Sequence, residues 1–362
     1  MKRFAGLVPA LICTSALAQS PQPVSPTAQP ATKATEDAKA PATQAPAAPQ
    51  TRAQERRENR QNQKAAAAAA APKKPVVLPT PTVSDAAYGD HPKQKIHFWK
   101  ADTKEPAPLL FFVHGGGWRG GDRTAVSGLL GPMLSSGISV VSVEYRFVQE
   151  AQDVEPPVKA PLHDAARALQ FVRSKAGEWN IDKTRIGASG GSAGACTSLW
   201  LAFHDDLADP NSSDPVARES TRLLCAAVTG AQTTLDPVQM KEWTPNSKYG
   251  AHAFKITAPA DKSKTEFEAF LAKRNEIQPW INEYSPYHLV TKGDSPVYLY
   301  YAKAPALGME ELDPTHTANF GLKLQEHCKE VGVPCEFVYP GASDVQHATV
   351  ADYLKAMLLR KS

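Results

Sequence analysis

The sequence predicts an α/β protein: a mostly parallel central sheet with helices on both faces. Three observations predict it. Apolar runs of strand length, such as residues 109–113 (LLFFV), alternate along the chain with helical patterns, such as the one that starts at Pro161; that alternation is how parallel sheets are assembled. The strand-like runs are continuously apolar, as strands covered on both faces are. A glycine-rich turn, residues 190–194 (GGSAG), follows one such run and opens a helical pattern.

The N-terminus stands apart from this pattern. Lys2 and Arg3 precede an apolar run to about Leu17, and Ala16-Leu17-Ala18 has the form of a cleavage site. Residues 1–18 therefore predict a signal peptide, too short for a permanent span, and a periplasmic or secreted mature chain. Residues 19–82 hold eleven of the 31 prolines and nine Lys/Arg against four Asp/Glu, with no periodic apolar pattern. Such a segment cannot bury enough surface to offset its chain entropy, so it predicts a disordered linker. The chain's formal charge of +3 then divides as +2 in the leader, +5 in the linker and −4 in residues 83–362. The predicted domain is thus mildly acidic, which argues against nucleic acid as a partner. No later stretch is apolar enough to cross a bilayer.

Within residues 83–362, strands are predicted at 94–100, 109–113 and 138–145, with a helix at 124–136 capped by Asp122. A helix from 161 to about 179 follows, then the strand, turn and helix around Ser192. Later strands are predicted at 223–229, 296–301 and 335–339, with helices at 318–331, ended by Gly332, and at 347–359. Residues 236–292 break the rhythm and read as a cap insertion over the sheet's C-terminal edge, where ligands bind in such sheets. Trp118, Trp243, Trp280 and Tyr284 are candidates for an apolar acyl or sugar site, or equally for ordinary packing. Cys328 and Cys335 are close enough in sequence for a small loop disulfide, whereas Cys196 and Cys225 read as buried thiols.

The chemistry is carried by two motifs. Gly190-Gly191-Ser192-Ala193-Gly194 is a G-x-S-x-G string. Between a strand and a helix, it becomes a nucleophile elbow, with the helix's free N–H groups beside the serine. Alone, it reads equally well as a tight turn with an incidental serine. Its companion is residues 114–118 (HGGGW), directly after the LLFFV run. Three glycines at a strand end let backbone N–H groups approach a ligand, as stabilising a tetrahedral oxyanion requires.

With these two motifs the chain from about residue 86 onward resembles the α/β-hydrolase serine esterases, in particular the branch of hormone-sensitive lipase, bacterial carboxylesterases and acetyl-xylan-type esterases. The resemblance implies an oxyanion hole from the N–H groups of Gly116, Gly117 and Ala193, with His114 holding the glycine loop in shape. It also implies an acid and then a histidine after Ser192. His347, just after the last predicted strand, fits the histidine in order and context; His316 and His327 read as surface or capping residues. For the acid, Asp313 fits best, ahead of Glu311 and Asp344, although the usual Gly-x-x-Asp signature is missing and the loop before His347 is longer than usual. The implied reaction is hydrolysis of short-chain acyl or acetyl esters, on small molecules or polysaccharides, through an acyl-enzyme and without metal or organic cofactor. Two alternatives stay open: a peptidase or amidase on the same fold, and a silent binding protein that kept it.

Overall fold

A computed structural model describes residues 77–151 and 153–360. The expected signal peptide and nearly all of the expected linker lie outside these residues. The linker's last residues belong to the domain: Trp99 donates its indole N–H to the Pro79 carbonyl (2.8 Å), and the Lys100 N–H donates to Thr82 Oγ1 (3.0 Å).

Eight strands form one sheet: β1 (Val83–Ala87), β2 (Lys95–Trp99), β3 (Ala107–Val113), β4 (Ser139–Val143), β5 (Ile181–Gly191), β6 (Cys225–Thr229), β7 (Val297–Tyr300) and β8 (Cys335–Val338). Their order is β1-β2-β4-β3-β5-β6-β7-β8. β1 and β2 are antiparallel additions at one edge; β3 to β8 run parallel. β1 went unread in the sequence because only five residues long and with no buried member, it lacks the apolar signature.

β3 shows why the sequence folds this way. All seven of its residues are buried. Leu109, Phe111 and Val113 point into one core, with Leu162 and Leu169 of helix α2 (Lys159–Ser174) and Leu199 of α3 (Ala193–Phe203). Leu110 and Phe112 point into the other, with Leu130 and Met133 of α1 (Ser127–Leu134) and Leu354 and Leu358 of α5 (Val350–Leu358). A strand covered on both faces needs apolar residues at every position. Helix α4 (Asn319–Val331) completes the first face through Phe320 and Leu324.

Several boundaries differ from expectation for local reasons. The predicted helix 161–179 stops at Ser174 and resumes as the turn Ala176–Trp179. The last helix starts at Val350 because Thr349 caps it, accepting from the Asp352 N–H (3.1 Å). His347 is therefore in the loop before it. Cys328 and Cys335 are free thiols, with no disulfide between them.

Residues 236–292 fold as short helices, Pro237–Trp243, Glu266–Lys273 and Gln278–Tyr284 among them, packed around Phe254, Phe270 and Ile281. The second carries a full capping box, Thr265 with Glu268. Among the described residues no helix is long and apolar enough to cross a membrane.

Candidate active site

The parallel register brings two loops side by side. Val113, the last residue of β3, pairs with Gly190 of β5, so the glycine loop and the serine turn leave the sheet as neighbours. Ser192 lies between β5 and α3 at φ 54°, ψ −123°, a conformation that costs an L-residue about 1–3 kcal/mol and persists only when its surroundings enforce it. They do. The Ser192 N–H donates to the Thr229 carbonyl (3.0 Å), and the Ser192 carbonyl accepts from the Cys196 N–H (3.0 Å). At Gly194 a Cβ would stand 2.1 Å from the Val113 carbonyl oxygen, so only glycine lets α3 begin so close to β3. The serine side chain makes no cap for α3, which leaves the helix's first N–H groups and its positive end at the nucleophile.

The glycine loop is tightly wound. Gly116 (φ 113°), Gly117 (φ 63°) and Trp118 (φ 55°) are consecutive left-handed residues. A Cβ on Gly116 would meet the Gly120 carbonyl oxygen at 2.1 Å. Buried His114 donates from Nδ1 to the Gly115 carbonyl (2.8 Å) and stacks on Tyr145 at 4.3 Å. The Tyr145 hydroxyl donates to the His114 carbonyl (2.8 Å); burial, reinforced by Glu144, holds its pKa well above the usual phenol value, so it stays a donor. The Trp118 indole N–H donates to Thr197 Oγ1 on α3 (3.0 Å), tying the loop to the helix behind the serine.

The imidazole against Ser192 belongs to His316, not His347. His316 Nε2 lies 2.9 Å from Ser192 Oγ, and His316 Nδ1 lies 2.8 Å from Asp313 Oδ2. A tight turn makes this possible. The His316 N–H donates to the Asp313 carbonyl (3.3 Å) across Pro314 and Thr315, so the two side chains leave the same turn together. Gln232 donates from Nε2 to the Thr315 carbonyl (2.6 Å) and fixes the turn from β6's side of the sheet. Partial burial works against the Asp313 charge, yet the hydrogen bond and charge of His316 outweigh it and hold the carboxyl below its ordinary value. Asp313 is thus paired with a histidine, but with a different one from the expected His347.

His347 sits elsewhere, paired with Glu336. It follows β8, the edge strand, three strand spacings (about 14 Å) from β5, whereas His316 follows β7, two spacings away. Glu336 keeps it there: one carboxylate oxygen accepts the N–H groups of Gln346 (2.9 Å) and His347 (2.7 Å), the other the His347 Nδ1–H (2.7 Å). Asp344 lines the same outer cavity. The Glu311 carboxylate takes the Thr317 hydroxyl instead of an imidazole. Of the sequence-derived set, Ser192 and Asp313 are joined through His316; Gly116 and Gly117 lie on the loop that leaves β3 beside β5, Ala193 follows the serine at the start of α3, and His347 is left out. His316 was missed, along with Gln232 and the supports described below; the signal that could have found it is Asp-Pro-Thr-His, favoured turn chemistry with Asp first and Pro second.

The cleft at Ser192 has a volume of about 490 Å³, with Phe112, Ala125, Thr229 and Lys303 among its walls. None of its lining residues comes from 236–292; the insertion meets the glycine loop instead, through His252 at the Gly117 carbonyl. Trp118, Trp243 and Tyr284 are buried and Trp280 half-buried, all packed in or against the core rather than lining the cleft. Among the described residues no cluster of three His, Cys, Asp or Glu side chains is placed to hold a metal ion.

Residues 96–306 match the BD-FAE family model. The chain is 32% identical over 131 residues to the versiconal hemiacetal acetate esterase of Dothistroma septosporum, covering 36% of this chain and 38% of that protein. It is 33% identical over 134 residues to esterase LipC of Mycobacterium tuberculosis, covering 35% and 30%. The chain thus spans about a third of the length of these relatives. In three dimensions it is similar to a truncated carbohydrate esterase from gut microbiota, with TM-score 0.56 and 18% identity over 78% of this chain and 99% of that one. That likeness shows the α/β-hydrolase fold.

Proposed function

Because the chain belongs to the BD-FAE family, we propose that it hydrolyses carboxylic esters through an acyl-enzyme on Ser192. The observation that carries this reading is the unbroken relay Ser192–His316–Asp313 beside a left-handed glycine loop. Ser192 Oγ attacks the ester carbonyl while His316 Nε2 takes its proton. Asp313 keeps the other imidazole proton on Nδ1 and stabilises the imidazolium. The carbonyl oxygen, now negative, is received by the N–H groups of Gly116, Gly117 and Ala193. His316 returns the proton to the departing alcohol; water, deprotonated by the same nitrogen, then releases the acid and restores the serine.

A cleft of this size, with Phe112 and Ala125 in its wall, supports short acyl or acetyl groups as the preferred acids. The similarity to a carbohydrate esterase supports carbohydrate esters, polysaccharides among them, as one class of natural substrate. The basic start, apolar run and Ala16-Leu17-Ala18 site support export to the periplasm or beyond.

The test is labelling of the purified chain by a fluorophosphonate, whose phosphorus is attacked by an activated serine with loss of fluoride. Labelling is expected at Ser192, with hydrolysis of p-nitrophenyl acetate that falls on the order of 10⁶-fold in Ser192→Ala. An unlabelled wild-type chain, or an active Ser192→Ala variant, contradicts the reading.

A further inference from the structure

We propose that His252, from the 236–292 insertion, is a positioning residue for the oxyanion loop. Its Nε2–H donates to the Gly117 carbonyl at 2.9 Å, across 135 residues of sequence. The inference rests on the reading of Gly116 and Gly117 as oxyanion donors and adds the part that holds them.

The geometry points to a specific hazard that this bond prevents. The peptide joining Gly117 to Trp118 is flanked by two left-handed residues, and Trp118, at φ 55°, carries a side chain in a region that disfavours one. A flip of that peptide would change ψ of Gly117 and φ of Trp118 together, and would relax the tryptophan. The Trp118 side chain is fixed by Thr197, and its carbonyl accepts from the Val148 N–H (2.9 Å). The Gly117 carbonyl has His252. With that bond in place the flip must break a buried hydrogen bond and leave its groups unpaired. Without it, the backbone just past the Gly117 N–H is free to adopt the relaxed form, and the donor loses its aim.

His252 is itself built in. It is 9% exposed and sits edge-on to Tyr249 at 4.9 Å, with the Trp118 ring 6.1 Å away. The carbonyl of its neighbour Ala253 accepts the Val158 N–H at the start of α2 (3.1 Å). Burial, with help from Arg119, lowers its pKa to about 4. At neutral pH it therefore holds one proton, and the contact with Gly117 puts that proton on Nε2. Residues 236–292 contribute no wall to the cleft; through His252 they stiffen the oxyanion loop instead.

The test compares two near-isosteres. His252→Gln keeps an N–H donor at the reach of Nε2; His252→Met removes it at similar volume. His252→Phe, which keeps a ring in the slot, stands in if the Met variant does not fold. The donor-free variant is expected to lose roughly 30- to 300-fold in kcat on p-nitrophenyl acetate, less than the roughly 100- to 1000-fold for removing an oxyanion donor outright, with KM changed less than about threefold. Inhibition by a trifluoromethyl ketone, whose adduct with Ser192 places an oxyanion in the hole, should weaken by the same factor as kcat. His252→Gln should recover to within about tenfold of wild type on both readouts. A folded donor-free variant with near-normal kcat overturns the proposal, as does equal loss in the Gln and Met variants. Ser192→Ala is run alongside: an active serine variant would sink the hydrolase reading itself, whereas an inactive one beside an active donor-free variant sinks only the role of His252.

Discussion

At the scale of residues, the candidate site depends on which imidazole a turn aims at the serine. Asp313 and His316 are three apart, and in an extended chain their side chains would diverge. The turn through Pro314 brings both to one side, 2.8 Å apart, with the second imidazole nitrogen on Ser192. Proline presets the φ of the second turn position, and aspartate favours the first, so the motif was open to reading as turn chemistry. The sequence points away from it because His316 lies beside a helix and the expected histidine follows the last strand. Ser192, Gly116, Gly117 and Ala193 were readable because their neighbours must be small, and smallness is written in the sequence. An imidazole's destination is not, since it depends on loop geometry that residue type leaves open.

At the scale of elements, the insertion acts as a brace. His252 holds the glycine loop, and the segment around Trp243 holds the loop that carries Asp313. The Gly308 N–H donates to the Trp243 carbonyl (2.9 Å), and Asn319 donates from Nδ2 to the same carbonyl (2.8 Å). Asn246 pairs with the backbone of Glu311 as a strand would, donating from Nδ2 to its carbonyl (2.8 Å) and accepting its N–H on Oδ1 (3.1 Å). Asn246→Ala leaves both groups without that partner and is expected to cost about 1–3 kcal/mol of stability and to lower turnover, since Asp313 is two residues on. Urea unfolding and kcat measured on the same preparation check this; an unchanged unfolding midpoint would show that the pair contributes nothing. The sequence marked 236–292 as an insertion because it broke the β/α rhythm. Its role as a brace was hidden, because hydrogen bonds from one side chain to a distant backbone leave no periodic trace.

At the scale of the whole molecule, the sheet was the most readable feature. Continuous apolar strands such as β3 are forced by burial on both faces, and the edge strand β1 was lost for the converse reason. The same burial sets an acid limit on stability. Desolvation is the largest cause lowering both His163 and His252 to a pKa of about 4. In the unfolded chain each titrates near its ordinary value of 6.5, so between pH 6.5 and 4 the unfolded state binds more protons and stability falls as pH falls. Each group contributes a slope of up to about 1.4 kcal/mol per pH unit in that window, which levels off below pH 4. Urea midpoints measured from pH 7 to 4.5 should therefore decline less steeply in His163→Gln than in wild type. Parallel declines would mean that His163, half-buried in α2, is not kept neutral by desolvation.

The central claim is that His316, and not His347, serves Ser192. Turnover of p-nitrophenyl acetate by His316→Ala and His347→Ala, each confirmed folded by its thermal midpoint, tests it most directly. The relay predicts a loss on the order of 10⁶-fold for His316→Ala and activity within a few-fold of wild type for His347→Ala. An active His316→Ala beside an inactive, folded His347→Ala would contradict it.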